Sequence, residues 1–251
     1  MITQKELQEK FQNLNLIQRI YFFETIDSTN TFGISLVRQN TISGTLILAE
    51  EQNQGKGRLG RNWISSKGLG LWFSVILEEK EIFKKPLLSM LFAACLTNIL
   101  KEMGFKASVK WPNDVLVNRK KVCGILAQTT SNSDSIVIGT GINVNHEKLP
   151  QDLPNASSLF LESGKKINRL DLLHSFLKEV ENQIGKSISD WLGFWGKNCD
   201  FFGEEIRLTS NSEIFEGKFC GVSKEGELIL LFRDGKKKFF QAGDTTLKEK
   251  A

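Results

Sequence analysis

The segment Gly55-Lys56-Gly57-Arg58-Leu59-Gly60-Arg61, closing on Asn62-Trp63, constrains this chain more than any other, because strand-like runs lie on both sides of it. Upstream, Thr45-Leu46-Ile47-Leu48-Ala49 is apolar and β-prone; downstream, 69–77 reads the same way. Glycine lets the backbone adopt φ > 0 and turn its N–H groups toward an anion. Cations on the same loop add charge-assisted hydrogen bonds. Such a loop suits a small anion, a phosphate or a carboxylate. Gly55, Gly57 and Gly60 also fit the spacing G-x-G-x-x-G, but the dinucleotide fingerprint needs a helix opening directly from the loop. Residues 61–68 are a poor helix start. The chain has no H-R-D, no D-F-G and no G-x-x-x-x-G-K-[ST], so kinase and P-loop readings fail as well.

Composition narrows the class further. A length of 251 residues allows one or two domains. Net charge is only +4 and is spread along the chain, which does not announce a nucleic-acid binder. Cys95, Cys123, Cys199 and Cys220 are far apart, and none sits in C-x-x-C. Cys95 and Cys123 lie in apolar runs and read as buried free thiols. With His146 and His174 as the two histidines, no zinc-binding pattern emerges. The first residues are polar and lack a signal core, and the apolar stretch 87–100 is too short to span a bilayer. These features predict a soluble, reduced, cytoplasmic protein that binds neither membrane nor DNA.

Local patterns predict the elements. Thr3 with Glu6 forms a capping box, so a helix is expected from residue 4 to about 15. A strand over 19–25 precedes a short helix opened by Asp27-Ser28. Pro86 near a helix start, a Leu87, Leu88, Leu91, Leu96, Ile99, Leu100 stripe, and Gly104 as the residue past its end predict a core helix. Strands follow at about 107–111, 114–118, 121–129 and 135–142, with a hairpin turn at Asn118-Arg119-Lys120. Residues 143–167 read as loop-rich, with Pro150, Pro154 and a Ser pair. Asn168 with Asp171 starts a long helix, and Trp191, Phe194 and Trp195 suggest another. Beyond Gly203, short strands at 205–209, 213–219, 227–232, 237–241 and 245–248 predict a small barrel, with a domain boundary near residue 200.

Three further stretches carry chemistry. Asp27-Ser28-Thr29-Asn30 clusters small hydrogen-bonding groups at a helix start, which also suits a plain N-cap. Lys110-Trp111-Pro112-Asn113-Asp114 ends a strand with a cation and two oxygen-bearing side chains; Asp114 could hold Mg²⁺ while Lys110 meets phosphate. In Lys121-Val122-Cys123-Gly124, strict alternation puts Lys121 and Cys123 on one face, Val122 and Gly124 on the other. Gly124 inside a strand suggests close approach by a ligand or backbone. The stretch Gly139-Thr140-Gly141-Ile142-Asn143 adds another such place.

Taken together and in order, D-S-T-N at 27–30, the loop from Gln52 to Trp63, K-W-P-N-D at 110–114, K-x-x-G-I-L at 121–126, G-x-G-I-N-V-N at 139–145 and A-S-S-L at 156–159 resemble the biotin–protein ligases, from about residue 20 to the end. The resemblance implies an α+β fold: a mixed sheet flanked by helices over 1–200, and an SH3-like β-barrel over 201–251. It implies an ATP-dependent enzyme that makes biotinyl-5′-AMP and passes biotin to a lysine of the biotin carboxyl carrier protein domain of a biotin-dependent carboxylase. Substrates and cofactors would be biotin, ATP and Mg²⁺. Arg58, Lys110, Lys121 and Asp114 would act in catalysis, with Asp114 also holding Mg²⁺. Ser28, Thr29, Asn30, Gln52, Gly55, Lys56, Gly57, Arg58, Lys121, Gly124 and Leu126 would bind biotin. Arg58, Arg61, Trp63, Lys110, Asn113 and Asn143 would serve ATP, Trp63 by anchoring the loop or stacking beside adenine.

The chain departs from many relatives at Lys56 and Leu59, where arginine is usual, and at Gln128, where an acid is common. The 26 residues ahead of Asp27 are too few for a winged helix-turn-helix, so no operator-binding role is expected. The state would be monomer or homodimer. Competing readings are a lipoate–protein ligase and a non-catalytic nucleic-acid binder using Arg233, Lys236, Lys237 and Lys238 near Phe232, Phe239 and Phe240, although those rings suit a barrel core.

Overall fold

A computed structural model describes residues 2–39, 41–78, 85–130 and 133–247. Seven strands make the main sheet: β1 (Arg19–Ile26), β2 (Thr45–Gln52), β3 (Gly70–Glu78), β4 (Ala107–Lys110), β5 (Asp114–Val117), β6 (Lys120–Thr129) and β7 (Ser135–Asn143). Their order is β1-β2-β3-β7-β6-β5-β4; β1 and β2 run parallel, every other pair antiparallel. The central strands β3 and β7 are almost continuously buried, as expected where helices cover both faces.

One face carries α1 (Gln4–Phe11), α3 (Lys85–Glu102), α5 (Arg169–Ile184) and α6 (Ile188–Lys197). The predicted leucine stripe of α3 is buried, and so are Phe92, Ala93, Ala94 and Cys95, because α3 lies between the sheet and the α5/α6 pair. Phe176 of α5 locks this layer, its ring edge-on to Phe73 at 6.0 Å and Phe92 at 5.9 Å. Asn168 caps α5 as predicted, its Oδ1 accepting from the amides of Leu170 and Asp171. On the other face, among the described residues, α2 (Thr29–Val37) is the one helix that packs on Ile47, Ile76 and Val137. It sits close: a Cβ at Gly33 would lie 2.8 Å from Val137 Cγ1. The open part of this face, beside the start of α2, is where the site forms.

Several expectations need correction. Helix α1 stops at Phe11 rather than near 15, since Leu14 and Ile17 bury by successive tight turns (Leu14 N to Phe11 O, Ile17 N to Leu14 O) instead of another helical turn. The 143–167 loop contains a short helix, α4 (Leu159–Ser163), capped by Ser158. The hairpin turn is the pair Asn118-Arg119, both at positive φ (48° and 65°), the geometry of a tight hairpin that matches strand twist.

The C-terminal strands β8 (Glu205–Ser210), β9 (Glu213–Val222), β10 (Leu228–Leu231), β11 (Lys237–Phe240) and β12 (Asp244–Leu247) form a five-stranded antiparallel sheet in the order β11-β10-β9-β8-β12. Lys248, assigned to the last strand from sequence, lies outside the described residues. This sheet is the small β domain expected at the C-terminus; among the described residues β11 does not pair with β12, so it does not close on itself. Phe240 is buried, but Phe239 is 51% exposed and does not fill a core. We propose a domain boundary at residue 200, between α6 and β8; one apolar core runs across it through Trp195, Cys199, Phe201 and Trp111. No helix among the described residues is long and apolar enough to cross a membrane.

Candidate active site

A cavity of about 260 Å³ opens on the α2 face of the main sheet. Its floor is bare backbone. Gly124 of β6 and Gly141 of β7 are direct cross-strand partners, and the indole of Trp63 lies over both. A Cβ at Gly141 would stand 2.4 Å from Trp63 Nε1, and one at Gly124 2.9 Å from Trp63 Cζ3. Gly139 admits the Asn30 side chain in the same way, at 2.0 Å from its Oδ1.

Gly124 reaches this floor through a β-bulge. The β5–β6 register shifts between Val115 and Leu116, so that Cys123 pairs with Val115 and Lys121 with Leu116. The extra residue, Val122, breaks the alternation read from sequence. Lys121 and Gly124 consequently share the cavity face: a Cβ at Gly124 would stand 3.3 Å from Lys121 Nζ, while Val122 and Cys123 are fully buried.

One end of the cavity is a locked polar cluster. Ser28 caps α2, and Thr29 donates from both N and Oγ1 to Gln52 Oε1, at 2.8 and 3.1 Å. Gln52 Nε2 donates to Ser65 Oγ at 2.9 Å. Asn30 donates through Nδ2 to Gln128 Oε1 at 2.8 Å and to Leu126 O at 3.2 Å, and its Oδ1 accepts from Ser74 Oγ at 2.6 Å. Ser65 and Ser74 were not singled out from sequence. The signal was there: Ser74 is a hydroxyl in the apolar run Leu71–Leu77 and is fully buried. The Gln128 amide oxygen thus serves Asn30 as an acceptor.

The other end is cationic. Lys110 and Asp114 are cross-strand partners flanking the turn, and Lys121 Nζ lies 2.7 Å from Asp114 Oδ1. Lys121 Nζ also stands 5.4 Å from the Trp63 ring centre. Burial holds the Lys110 ammonium below the ordinary lysine range; Lys121 and Arg61 push the same way, and Asp114 and Asp244 oppose them. Asn113 spans the site: its Nδ2 donates to Ile125 O at 2.7 Å, and its Oδ1 accepts from Arg58 Nη1 at 2.9 Å. Burial also lowers the pKa of Arg58, against the pull of Asp244 and Asp114, but a guanidinium stays charged. Asn143 donates to Ser157 O at 3.0 Å. The A-S-S-L segment runs beside β6, with Lys121 N donating to Asn155 O and Ser157 N to Lys121 O.

The glycine loop differs from expectation in detail. Of its glycines, Gly60 takes a positive φ (73°), and Leu59 takes one too (56°). Gly55 and Gly57 serve close approach instead, to Trp63 O and Arg61 O. Leu59 is 75% exposed and does not line the cavity. Lys56 is exposed and bridges Asn62 through backbone. Gly55 lines an adjoining outer hollow rather than the cavity itself; the other candidate residues line the cavity. Asp244 and Thr245 of β12 line it as well and went unforeseen, because nothing in the sequence ties them to residues 55–61.

Asp114 is a poor centre for a protein-held Mg²⁺. It is paired to Lys121, and no three His, Cys, Asp or Glu side chains converge among the described residues. One carboxylate between lysines suits an ion that arrives on nucleotide phosphates and keeps most of its other ligands. The thiols of Cys95 and Cys123 are pushed up by burial and are unreactive there.

Known proteins share both the sequence and this architecture. Residues 22–145 match the biotin/lipoate A/B protein ligase family. The bifunctional ligase/repressor BirA of Bacillus subtilis is 32% identical over 239 residues, covering 90% of this chain and 73% of the relative. A biotin–[acetyl-CoA-carboxylase] ligase of Paracoccus denitrificans is 30% identical over 81% of this chain and 90% of its own length. The biotin protein ligase of Aquifex aeolicus, solved in complex with biotin and ATP, superposes with a TM-score of 0.81 at 31% identity, over 92% of this chain and 99% of that one. Sequence kinship over nearly the whole chain, together with this shared architecture, makes the protein an enzyme of the biotin/lipoate A/B protein ligase family, on its biotin protein ligase branch.

Proposed function

We propose that the chain activates biotin with ATP and transfers it to a lysine of a biotin carboxyl carrier protein domain. The biotin carboxylate attacks the α-phosphorus, giving biotinyl-5′-adenylate and pyrophosphate. The carrier amine then attacks the acyl carbon and AMP leaves. The polar cluster around Thr29, Asn30 and Gln52 would take the ureido ring. Gly124 and Leu126 would line the tail, where a bare glycine floor admits a chain that a Cβ would exclude. Arg58, Lys110 and Lys121 would surround the two reacting anions, with Asn113, Asn143 and Arg61 on the nucleotide. Mg²⁺ bound to the phosphates would supply further charge neutralisation.

The observation that carries this reading is the convergence of Arg58, Lys110 and Lys121 on one cavity that also holds the Thr29–Gln52 cluster. A carboxylate and a triphosphate repel as they approach; preorganised cations offset that repulsion and fix the attack geometry. The test is transfer: the protein is incubated with ATP, labelled biotin and a purified carrier domain. Label on the carrier lysine is expected; label that stays free, or a carrier modified only when labelled lipoate replaces biotin, contradicts the reading.

A further inference from the structure

The C-terminal sheet brings to the cavity a carboxylate that the reaction above leaves unused. Asp244, the first residue of β12, is ion-paired to Arg61 through Nη2 and stands 3.9 Å from Arg58 Nη1. The neighbouring Gly243 carbonyl accepts from both Nη1 and Nη2 of Arg58, each at 3.4 Å. Both arginines belong to the glycine loop, and Arg61 is 183 residues from Asp244 in sequence.

Strand β12 is firmly seated where it makes these contacts. Thr245 Oγ1 donates to Trp111 O at 3.1 Å, and Trp111 Nε1 donates to Gly226 O at 2.9 Å. Backbone also runs tight against β8 at Gly243, where a Cβ would lie 2.6 Å from Leu208 Cδ1. The charge balance makes Asp244 matter. Lys56, Arg58, Arg61, Lys110 and Lys121 line the cavity, against the carboxylates of Asp114 and Asp244. Asp114 is engaged by Lys121 at 2.7 Å. Without Asp244 the two loop guanidiniums would face the lysines with their mutual repulsion uncompensated. A carboxylate set against guanidiniums also presents the acceptor oxygens that a phosphate presents.

We propose that Asp244 is a positioning residue that holds the glycine loop over the cavity before nucleotide arrives, and that a nucleotide phosphate then takes its place on Arg58 and Arg61. The identity of the incoming anion rests on the function proposed above; the loop-holding role does not. Closure of the loop is thereby tied to the C-terminal sheet, so that a shift of β12 frees the loop.

Limited trypsin digestion of the full-length protein tests this, because the loop carries cleavable bonds after Lys56, Arg58 and Arg61. Without ligands, Asp244→Asn should be cut in the loop roughly three- to ten-fold faster than wild type, as cleavage tracks the open population. Asp244→Glu should recover part of the protection. Biotin with ATP should protect wild type and Asp244→Asn equally, since phosphate then occupies the arginines. Should Asp244→Asn not fold, Arg61→Gln breaks the same pair from its exposed side and should show faster cleavage after Lys56 and Arg58, the two loop bonds it leaves, each compared with the same bond in wild type. Equal cleavage of wild type and variants without ligands overturns the proposal. A clear difference in cleavage in a protein that never activates biotin would leave Asp244 as the loop's latch and remove the proposed function instead.

Discussion

Lys121 sits where three demands meet: it neutralises Asp114, lies against Trp63 and faces the glycine floor. Replacing it with alanine removes one of the cations proposed to surround the reacting anions, and losing one preorganised donor of this kind slows a reaction by about 10²–10³-fold. Biotin-dependent pyrophosphate release from Lys121→Ala should fall by that order; a rate within a few-fold of wild type would take Lys121 out of the chemistry. Arg58 has a different task. It ties the loop to Asn113 and to the Gly243 carbonyl, so Arg58→Gly should still form the adenylate but release it faster, which trapping of the free intermediate will measure. Lys110 predicts a pH dependence. Its ammonium attracts phosphate only while protonated, and its pKa in the free protein is lowered, chiefly by burial. ATP affinity should therefore be full below that lowered pKa and fall as pH rises through it, starting below the ordinary lysine value of about 10.4. In Lys110→Arg the decline should move upward, because a guanidinium does not titrate there; coincident profiles would exclude Lys110 as the titrating group.

At the scale of elements, the glycine pair Gly124–Gly141 and the tryptophan above it form one packing unit. Gly141→Ala should expel Trp63 from its seat, seen as a shift of tryptophan emission and weaker nucleotide binding, with the fold retained; unchanged emission and affinity would show that the floor need not be bare. By contrast Phe176→Ala, in the α3–α5 layer away from the site, should lower stability by about 3–5 kcal/mol in denaturant unfolding. The strands and long helices were legible in the sequence because their apolar periods and caps are local. The bulge at Val122 was not: strict alternation holds only while both strands keep one register, and the shift is set by how β5 and β6 pair. The early end of α1 was hidden for a related reason, since Leu14 and Ile17 find their burial in a tertiary core.

For the whole molecule, the motif segments of the site were readable as separate stretches, and the fold brings every candidate site residue but Gly55 to one cavity. Asp244 and Thr245 were invisible, because a short strand far along the chain reveals nothing about which loop it will face. The C-terminal sheet is part of the core through Trp111, Phe201 and Phe219, so it acts as a wall of the site as well as a support. In the proposed function, separated cations and bare backbone let two anions react. Biotin-driven exchange of labelled pyrophosphate into ATP measures that step alone, without any carrier. Exchange with biotin, little with lipoate, and a collapse in Lys121→Ala is the predicted result; no exchange with biotin in the wild-type protein would contradict it.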